Sequence, residues 1–571
     1  MPLPRTDYRY PVGYQQDAVT RLLASLVRFR GALLIASTGL GKTVIATETA
    51  RRLRRDGRIE DVLVIAPNAV RVEWAAHLDA ARLPFACFNH AALDAPPERS
   101  AAARDLGAVL GALGPRTLLV IDECHLLRNR ARGTIERRAF VQLLPAVAAS
   151  GGRVLLLTAT PFSRGLANLN AQLSLLPHTA PSRALLVDWV TDARAWHVTE
   201  EADIAQLPVI TVLTTPSIAR AYGERDDVGT FVRFGLQRRY FPRLRLHRVN
   251  TPVVAGAVIA AALDGGVFAV EGGGAGLERV VRLSLTSSPW ALAECIAKTI
   301  ATPGPDGFAR ARFLQPPDVR AAALGPAMDA LRATPFGDDP KLQALLNLLD
   351  ARCAEGGKAV VFVERLATAG YVAAALAALR PALRIGCTVT GAGDGPLDCM
   401  PRRFRQRSDG DVRSILRAFA PVANGVKGAL IGAADEGSGA RVPRRTAAAK
   451  RAADRAALDV LIATDAWGVG VNLQDAATVI SYDLAWTPIE LTQRAGRILR
   501  LWREPRTVDI YAFVPHLGVP TMDAGFRKLW AVARRWERLV ARHAMAARLG
   551  ELPTLAGDED LGEIELERLA T

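Results

Sequence analysis

Short apolar runs punctuate the first third of the chain at regular intervals: ALLIA after Gly31, VLVIAP at 62–67, TLLVID at 117–122 and RVLLLTAT at 153–160. Each is four to seven residues of Val, Ile and Leu without polar alternation, and helix-like segments lie between them. Strands that are apolar on both faces belong to a parallel sheet covered by helices on either side. A second series follows with KAVVFVE at 358–364, DVLIATD at 459–465, TVISYDL at 478–484 and VDIYAFV at 508–514. The pattern predicts an α/β protein with two sheet-bearing lobes.

The remaining stretches read differently. Between His178 and Pro340, tryptophans, glycines and basic clusters occur without strand rhythm, which predicts a helical insertion and linker. Gly391 to Asp459 interrupts the second series with PRRFRQR at 401–407 and RVPRRTAAAKRAADR at 441–455, predicted as surface elements or disordered loops that are candidates for docking a partner. Beyond Pro520 the chain reads as a basic amphipathic helix with an acidic tail, its Phe526, Leu529, Trp530, Val532, Trp536 and Val540 spaced for core packing. The expected division is 1–178, 179–335, 336–520 with an insertion at 391–457, and 521–571.

Composition narrows the function classes. Lys and Arg number 72 against 57 Asp and Glu, a net charge of +15, which fits a polyanionic partner such as nucleic acid, although an Arg- and Ala-rich genome would leave the same mark. The six cysteines are scattered without a C-x-x-C pair, so neither a disulfide framework nor a zinc site is indicated. The amino terminus lacks the apolar core of a signal peptide, and the apolar stretch 253–270 is broken by Asp264 and a Gly-Gly pair, so a cytoplasmic protein without a membrane span is expected.

Three motifs carry chemistry. Ala36-Ser37-Thr38-Gly39-Leu40-Gly41-Lys42-Thr43 follows a strand and opens a helix, with Ala36 in place of the first glycine of G-x-x-x-x-G-K-T. Small residues there let backbone N–H groups close on phosphates, with Lys42 adding charge and the Thr43 hydroxyl available to Mg²⁺. Asp122-Glu123-Cys124-His125 ends the third run. One carboxylate can hold a metal while its neighbour polarises water, although a D-E pair at a strand end also serves as a helix cap. In QRAGRILR, Arg497 and Arg500 are three apart and share a helix face with Gln493 one turn earlier. Such guanidinium groups bridge phosphate oxygens, or else form a solvated basic face.

In this order, AxxGxGKT, DECH, Thr158-Ala159-Thr160 and QRAGRILR resemble motifs I, II, III and VI of superfamily 2 helicases, whose fold is two RecA-like parallel-sheet lobes. Tyr14-Gln15 with Ala18-Val19, VLVIAPNAVRVEWAAHL, LTATPFSRGLANLNAQLSLL and TDAWGVGVNLQDAATVISYDLAWTP are similar to segments of Swi/Snf-type double-stranded DNA translocases, especially bacterial RNA-polymerase-recycling ATPases. The likeness covers about 1–178 and 336–516.

The resemblance implies an ATP hydrolase that moves on nucleic acid, double-stranded DNA first, remodelling protein–DNA complexes alongside protein partners. A strand-separating DNA or RNA helicase and a non-catalytic nucleic-acid scaffold are the alternatives. It implies that Gln15 reads adenine, that Thr38, Gly39, Leu40, Gly41, Lys42, Thr43 and Gly470 bind ATP, and that Thr43 and Asp122 hold Mg²⁺. Glu123 would activate water, Gln493, Arg497 and Arg500 would complete the catalytic cleft, and Pro67, Thr158, Thr160, Thr464 and Asn472 would couple it to nucleic acid. Gly468 and Asn472 belong to the motif V match. Two departures stand out: Cys124 replaces the commoner alanine and is expected to face the sheet, and Trp467, expected to be buried, stands where relatives have a small residue.

Overall fold

The structure, a computed structural model, describes residues 10–95, 98, 100–127, 143, 146–147, 149–161, 166–177, 196–198, 204, 206–253, 259, 262, 266–268, 270–271, 281, 283–301, 312–313, 315–354, 356–388, 409–424, 457–464, 471–484 and 488–516. Gly468, Gly470 and Trp467, the basic clusters at 401–407 and 441–455, and the predicted carboxy-terminal helix after Pro520 lie outside them.

Six strands build the first sheet: β1 (Gly31–Ala36), β2 (Asp61–Ala66), β3 (Phe85–Asn89), β4 (Thr117–Ile121), β5 (Arg153–Thr158) and β6 (Ile210–Leu213). Their order is β3-β2-β4-β5-β1-β6, with every pairing parallel. The absence of polar alternation now has its cause. Leu33, Ile35 and Ile121 pack into one buried cluster, while their neighbours Leu34, Ala36 and Val120 pack into another on the opposite face. Helix α1 (Gly13–Arg28) seals the second cluster by burying Tyr14, Ala18, Leu22 and Leu26, spaced four apart on one side. Full burial of each such leucine contributes about 1.5–3 kcal/mol.

The stretch expected to be a helical linker instead supplies strands to both lobes. It begins with β6 of the first sheet and continues through a three-stranded antiparallel unit, β7 (Glu224–Arg225), β8 (Thr230–Phe234) and β9 (Gln237–Tyr240). It then gives β10 (Arg243–Pro252), which pairs in parallel with the last strand of the second sheet over its full 10 residues. Helices do occur at Pro289–Ala301 and Pro317–Ala333, which share a separate core around Leu292, Ile296 and Leu324. A two-residue pairing of β11 (Val270–Glu271) with β12 (Arg312–Phe313) lies nearby in sequence.

The second sheet comprises β10 with β13 (Ala359–Val363), β14 (Ile385–Cys387), β15 (Val460–Thr464), β16 (Thr478–Ser481) and β17 (Thr507–His516), in the order β10-β17-β16-β13-β15-β14. All five pairings are parallel. Val360 and Phe362 point into one core, Val361 and Val363 into the other. Within 391–457 the helix Asp409–Phe419 packs one side on this sheet, with Ile415 and Phe419 fully buried and Ser414 and Arg417 exposed. Among the described residues no helix is long and apolar enough to cross a membrane.

Candidate active site

The phosphate-type loop springs from the carboxyl end of β1. Gly39 and Gly41 both adopt φ 86°, and Gly41 caps helix α2 (Lys42–Arg55) from the left-handed region, which only glycine occupies without strain. Space is as restrictive as torsion: a β-carbon on Gly41 would stand 2.4 Å from Gln15 Nε2. The Gln15 amide holds the loop, donating to the Leu40 carbonyl at 3.0 Å and to Tyr14 Oη at 3.4 Å, while its Oε1 accepts from Val12 N at 3.0 Å. Lys42 Nζ donates to the Ala36 carbonyl at 3.3 Å. The exposed N–H groups and positive dipole end of α2 thus open beside a lysine, an arrangement made for anions.

Asp122 and Glu123 leave the carboxyl end of β4 beside this loop. Both are buried, and Glu123 takes φ 51°, a left-handed conformation unusual for a glutamate, which turns its carboxylate out of line with the strand. Asp122 is held on both oxygens: Trp74 Nε1, from helix α3 (Arg71–Ala80), donates to Oδ2 at 2.9 Å, and Glu123 N donates to Oδ1 at 2.9 Å. His90 Nε2 donates to the Asp122 carbonyl at 2.7 Å. Burial, helped by the charge on Glu123, pushes the Asp122 carboxyl up to about 6. Burial works the same way on Glu123, but the contact with His125 and the charges of Lys42 and Arg497 outweigh it, holding Glu123 below the usual carboxylate range.

The second lobe reaches this point with the helix Pro488–Gly496 and the residues after it. Gln493 Nε2 donates to His125 Nε2 at 3.0 Å. His125 Nδ1 lies 3.2 Å from Glu123 Oε2 and 3.2 Å from Thr158 Oγ1, which in turn accepts from Thr160 N at 3.1 Å. Arg497 and Arg500 line the same cleft as Lys42, Thr43, Asp122 and Glu123. Burial, opposed by Glu123, brings Arg497 down to about 10. The Nε and Nη2 groups of Arg497 and Nε of Arg500 are buried without hydrogen-bond partners. Buried guanidinium donors left unpaired are costly, and here they converge on a cleft of about 690 Å³. Contact between the lobes is close, since a β-carbon on Gly39 would stand 2.7 Å from Arg500 Cγ.

Gln15, Thr38, Gly39, Gly41, Lys42, Thr43, Asp122, Glu123, Arg497 and Arg500 thus line one cleft, with Gln493 and Thr158 one contact behind it through His125. Leu40 is buried beneath the loop. Pro67, Thr160, Thr464 and Asn472 do not line it. Pro67 precedes a short 3-10 turn, Thr464 ends β15, and the Asn472 carbonyl accepts from Asn424 Nδ2 at 3.0 Å. Cys124 faces inward as expected, fully buried with Sγ 3.1 Å from Gln172 Oε1. Sequence reading missed the parts of His90 and the β8–β9 turn; Trp74 lies in the VLVIAPNAVRVEWAAHL segment that it singled out, but the bond from Trp74 to Asp122 was not foreseen.

The family model described as "Type III restriction enzyme, res subunit" matches residues 10–75, and "Helicase conserved C-terminal domain" matches 439–501. The uncharacterized ATP-dependent helicase YqhH of Bacillus subtilis (strain 168) is 54% identical over 57 residues, 10% of this chain and 10% of that protein, so the match spans about a tenth of that relative. The solved SWI2/SNF2 ATPase core of Sulfolobus solfataricus in complex with dsDNA aligns over 97% of this chain and 100% of its own at 14% identity, with a TM-score of 0.30. One matched segment carries Lys42 and the other Arg497 and Arg500, and the fold brings the two segments, each similar to a family model of this kind, to a single cleft.

Proposed function

We propose that this protein hydrolyses ATP in the cleft between its two lobes to move along double-stranded DNA, displacing or remodelling proteins bound there, with its output set by protein partners. The observation that carries the reading is the set of unpaired Arg497 and Arg500 donors, delivered by one lobe to the lysine loop and carboxylates of the other. The charge of +15 and the Swi/Snf-type motifs favour a duplex nucleic-acid track.

In this reading the N–H groups from Gly39 to Thr43 and the Lys42 ammonium cradle the β- and γ-phosphates. Glu123, kept ionised by its cationic neighbours, accepts a proton from the attacking water. Arg497 and Arg500 meet the negative charge that builds on the transferring phosphoryl group, a contribution worth about 10³–10⁵ in rate for arginine fingers. The donor set suits a hard cation: Thr43 and Asp122 offer one hydroxyl and one carboxylate, and a Mg²⁺ held there with the phosphates would neutralise charge on the β- and γ-oxygens. Because the arginines and Glu123 sit on different lobes, hydrolysis requires closure, and the Gln493–His125–Thr158 chain gives closure a route to the segments expected to grip nucleic acid.

ATP turnover measured with single-stranded DNA, duplex DNA and RNA at a stated salt concentration tests the track. Stimulation by duplex, with displacement of a triplex strand but no unwinding, is the expected result; unwinding would favour the strand-separating reading. Arg500→Ala should abolish stimulated turnover, and full retention would end the two-lobe mechanism.

A further inference from the structure

The antiparallel unit between the lobes has two unlike faces. In β8–β9 the cross-strand partners are Phe231↔Tyr240, Val232↔Arg239, Arg233↔Arg238 and Phe234↔Gln237, so Val232, Phe234, Gln237 and Arg239 share one face and the other four share the opposite one. The second face is self-satisfied: Arg233 pairs with Glu224, Arg238 with Asp226 at 2.8 Å, and Tyr240 Oη donates to Asp226 at 2.7 Å. The first face is turned to the cleft. Val232 is buried in the first lobe, Phe234 packs beside it half-buried, and Phe234, Gln237 and Arg239 all line the same cavity as Lys42 and Glu123. The two-residue Gly235-Leu236 turn places them there. Gly235 takes φ 63°, the sign that a tight hairpin requires at this position.

The cleft has more wall than phosphates need. Lys42, the carboxylates and the arginines occupy its anion-binding part, leaving Tyr10, Val12, the turn and the start of α3 unassigned. Gln15 spends both amide N–H groups on Leu40 and Tyr14, so a base there needs another partner.

We propose that the cleft-facing side of the β8–β9 hairpin is the nucleoside subsite: Phe234 is the platform for the base, and Arg239, oriented by donating to the side-chain Oε1 of Gln237 at 2.8 Å, donates to the ribose oxygens. An aromatic ring with one face on a core and the other on a cavity is a ready stacking surface for any base. The proposal rests on the reading of the cleft as an ATP site. It also gives the nucleoside a mechanical link, because Tyr240 at the end of β9 exchanges two backbone hydrogen bonds with Trp502, at 2.7 and 3.0 Å, two residues beyond Arg500. A bound base is then gripped by an element tied to the arginine-bearing segment.

The test is equilibrium binding of ADP and of inorganic tripolyphosphate to the full chain. Phe234→Ala should weaken ADP about 5- to 100-fold, the range of one base–aromatic stack, while tripolyphosphate binds within twofold of wild type; Phe234→Tyr should restore ADP. Arg239→Ala should weaken ADP by a smaller factor and erase the preference for ADP over its 2′,3′-dideoxy analogue. Arg233→Ala, on the opposite face, should change neither ligand. Should Phe234→Ala fail to fold, Arg239→Ala, at a half-buried position, carries the same comparison. Equal ADP affinity in Arg239→Ala and wild type, or parallel loss of ADP and tripolyphosphate, overturns the subsite. Wild-type protein that binds neither ligand would instead overturn the ATP-site reading on which it depends.

Discussion

Gln493 donates to His125 across the lobe boundary, Nε2 to Nε2 at 3.0 Å, and so fixes which nitrogen of the imidazole carries the proton. With Nε2 accepting, the hydrogen sits on Nδ1, which faces Glu123 and Thr158. The tautomer beside Glu123 is therefore set by a residue that is in place only when the lobes meet. Gln493→Ala should lower kcat for ATP by about ten- to a hundredfold with KM changed little, since proton-transfer geometry and not ground-state binding is lost. Unaltered kcat would remove Gln493 from the mechanism.

Gly496 closes against Thr38 with no room to spare: an added β-carbon would stand 2.2 Å from Oγ1 and 2.7 Å from Cβ. Gly496→Ala should hold the cleft open and reduce turnover about tenfold or more, without a matching loss of thermal stability. Thr38→Gly in the same chain should recover part of it. A double variant no better than Gly496→Ala alone would show that closure does not pass through this contact.

Trp74 reaches Asp122 from α3, a helix outside the three motifs. Trp74→Phe keeps most of the ring but removes the donor, leaving a buried carboxylate one hydrogen bond short, at a cost of about 1–3 kcal/mol. Denaturant unfolding and the Mg²⁺ concentration for half-maximal ATPase should both register the change. If neither moves, the orientation of Asp122 does not depend on this indole.

His90 gives an acid-side dependence. Burial takes its pKa down from 6.5 to about 4, offset in part by its hydrogen bond to the Asp122 carbonyl. The folded state therefore holds it neutral where the unfolded chain would bind a proton. Its contribution to stability is complete above pH 6.5 and is lost as pH falls through about 4, by up to about 3 kcal/mol. His90→Gln, which retains an amide donor, should flatten this part of the stability profile between pH 6.5 and 4 relative to wild type; superimposable profiles would refute it.

Much of this was legible in the residues themselves. The eight aliphatic runs became β1, β2, β4, β5, β13, β15, β16 and β17 because a strand buried on both faces leaves no polar alternation to obscure it. Two of the strands that escaped notice lack that mark: β14 is three residues long, and β10, at the sheet edge, reads RLRLHRVNTP, half polar because much of it stays partly exposed. The cleft was readable where spacing is local, as in Gly39 to Thr43 and Arg497 to Arg500. It was not readable where partners lie far apart, as with Trp74 and Asp122, or where a hairpin of ordinary composition owes its importance to the side it turns inward.

The pairing of β10 with β17 has one more result. A protease cut anywhere between Pro252 and Ala359 would leave β10 covalently on the amino-terminal fragment yet zipped along its length into the sheet of the other. Nicked protein should consequently travel as a single particle through gel filtration and come apart only in denaturant, so cleavage there would sever the peptide without uncoupling the machine.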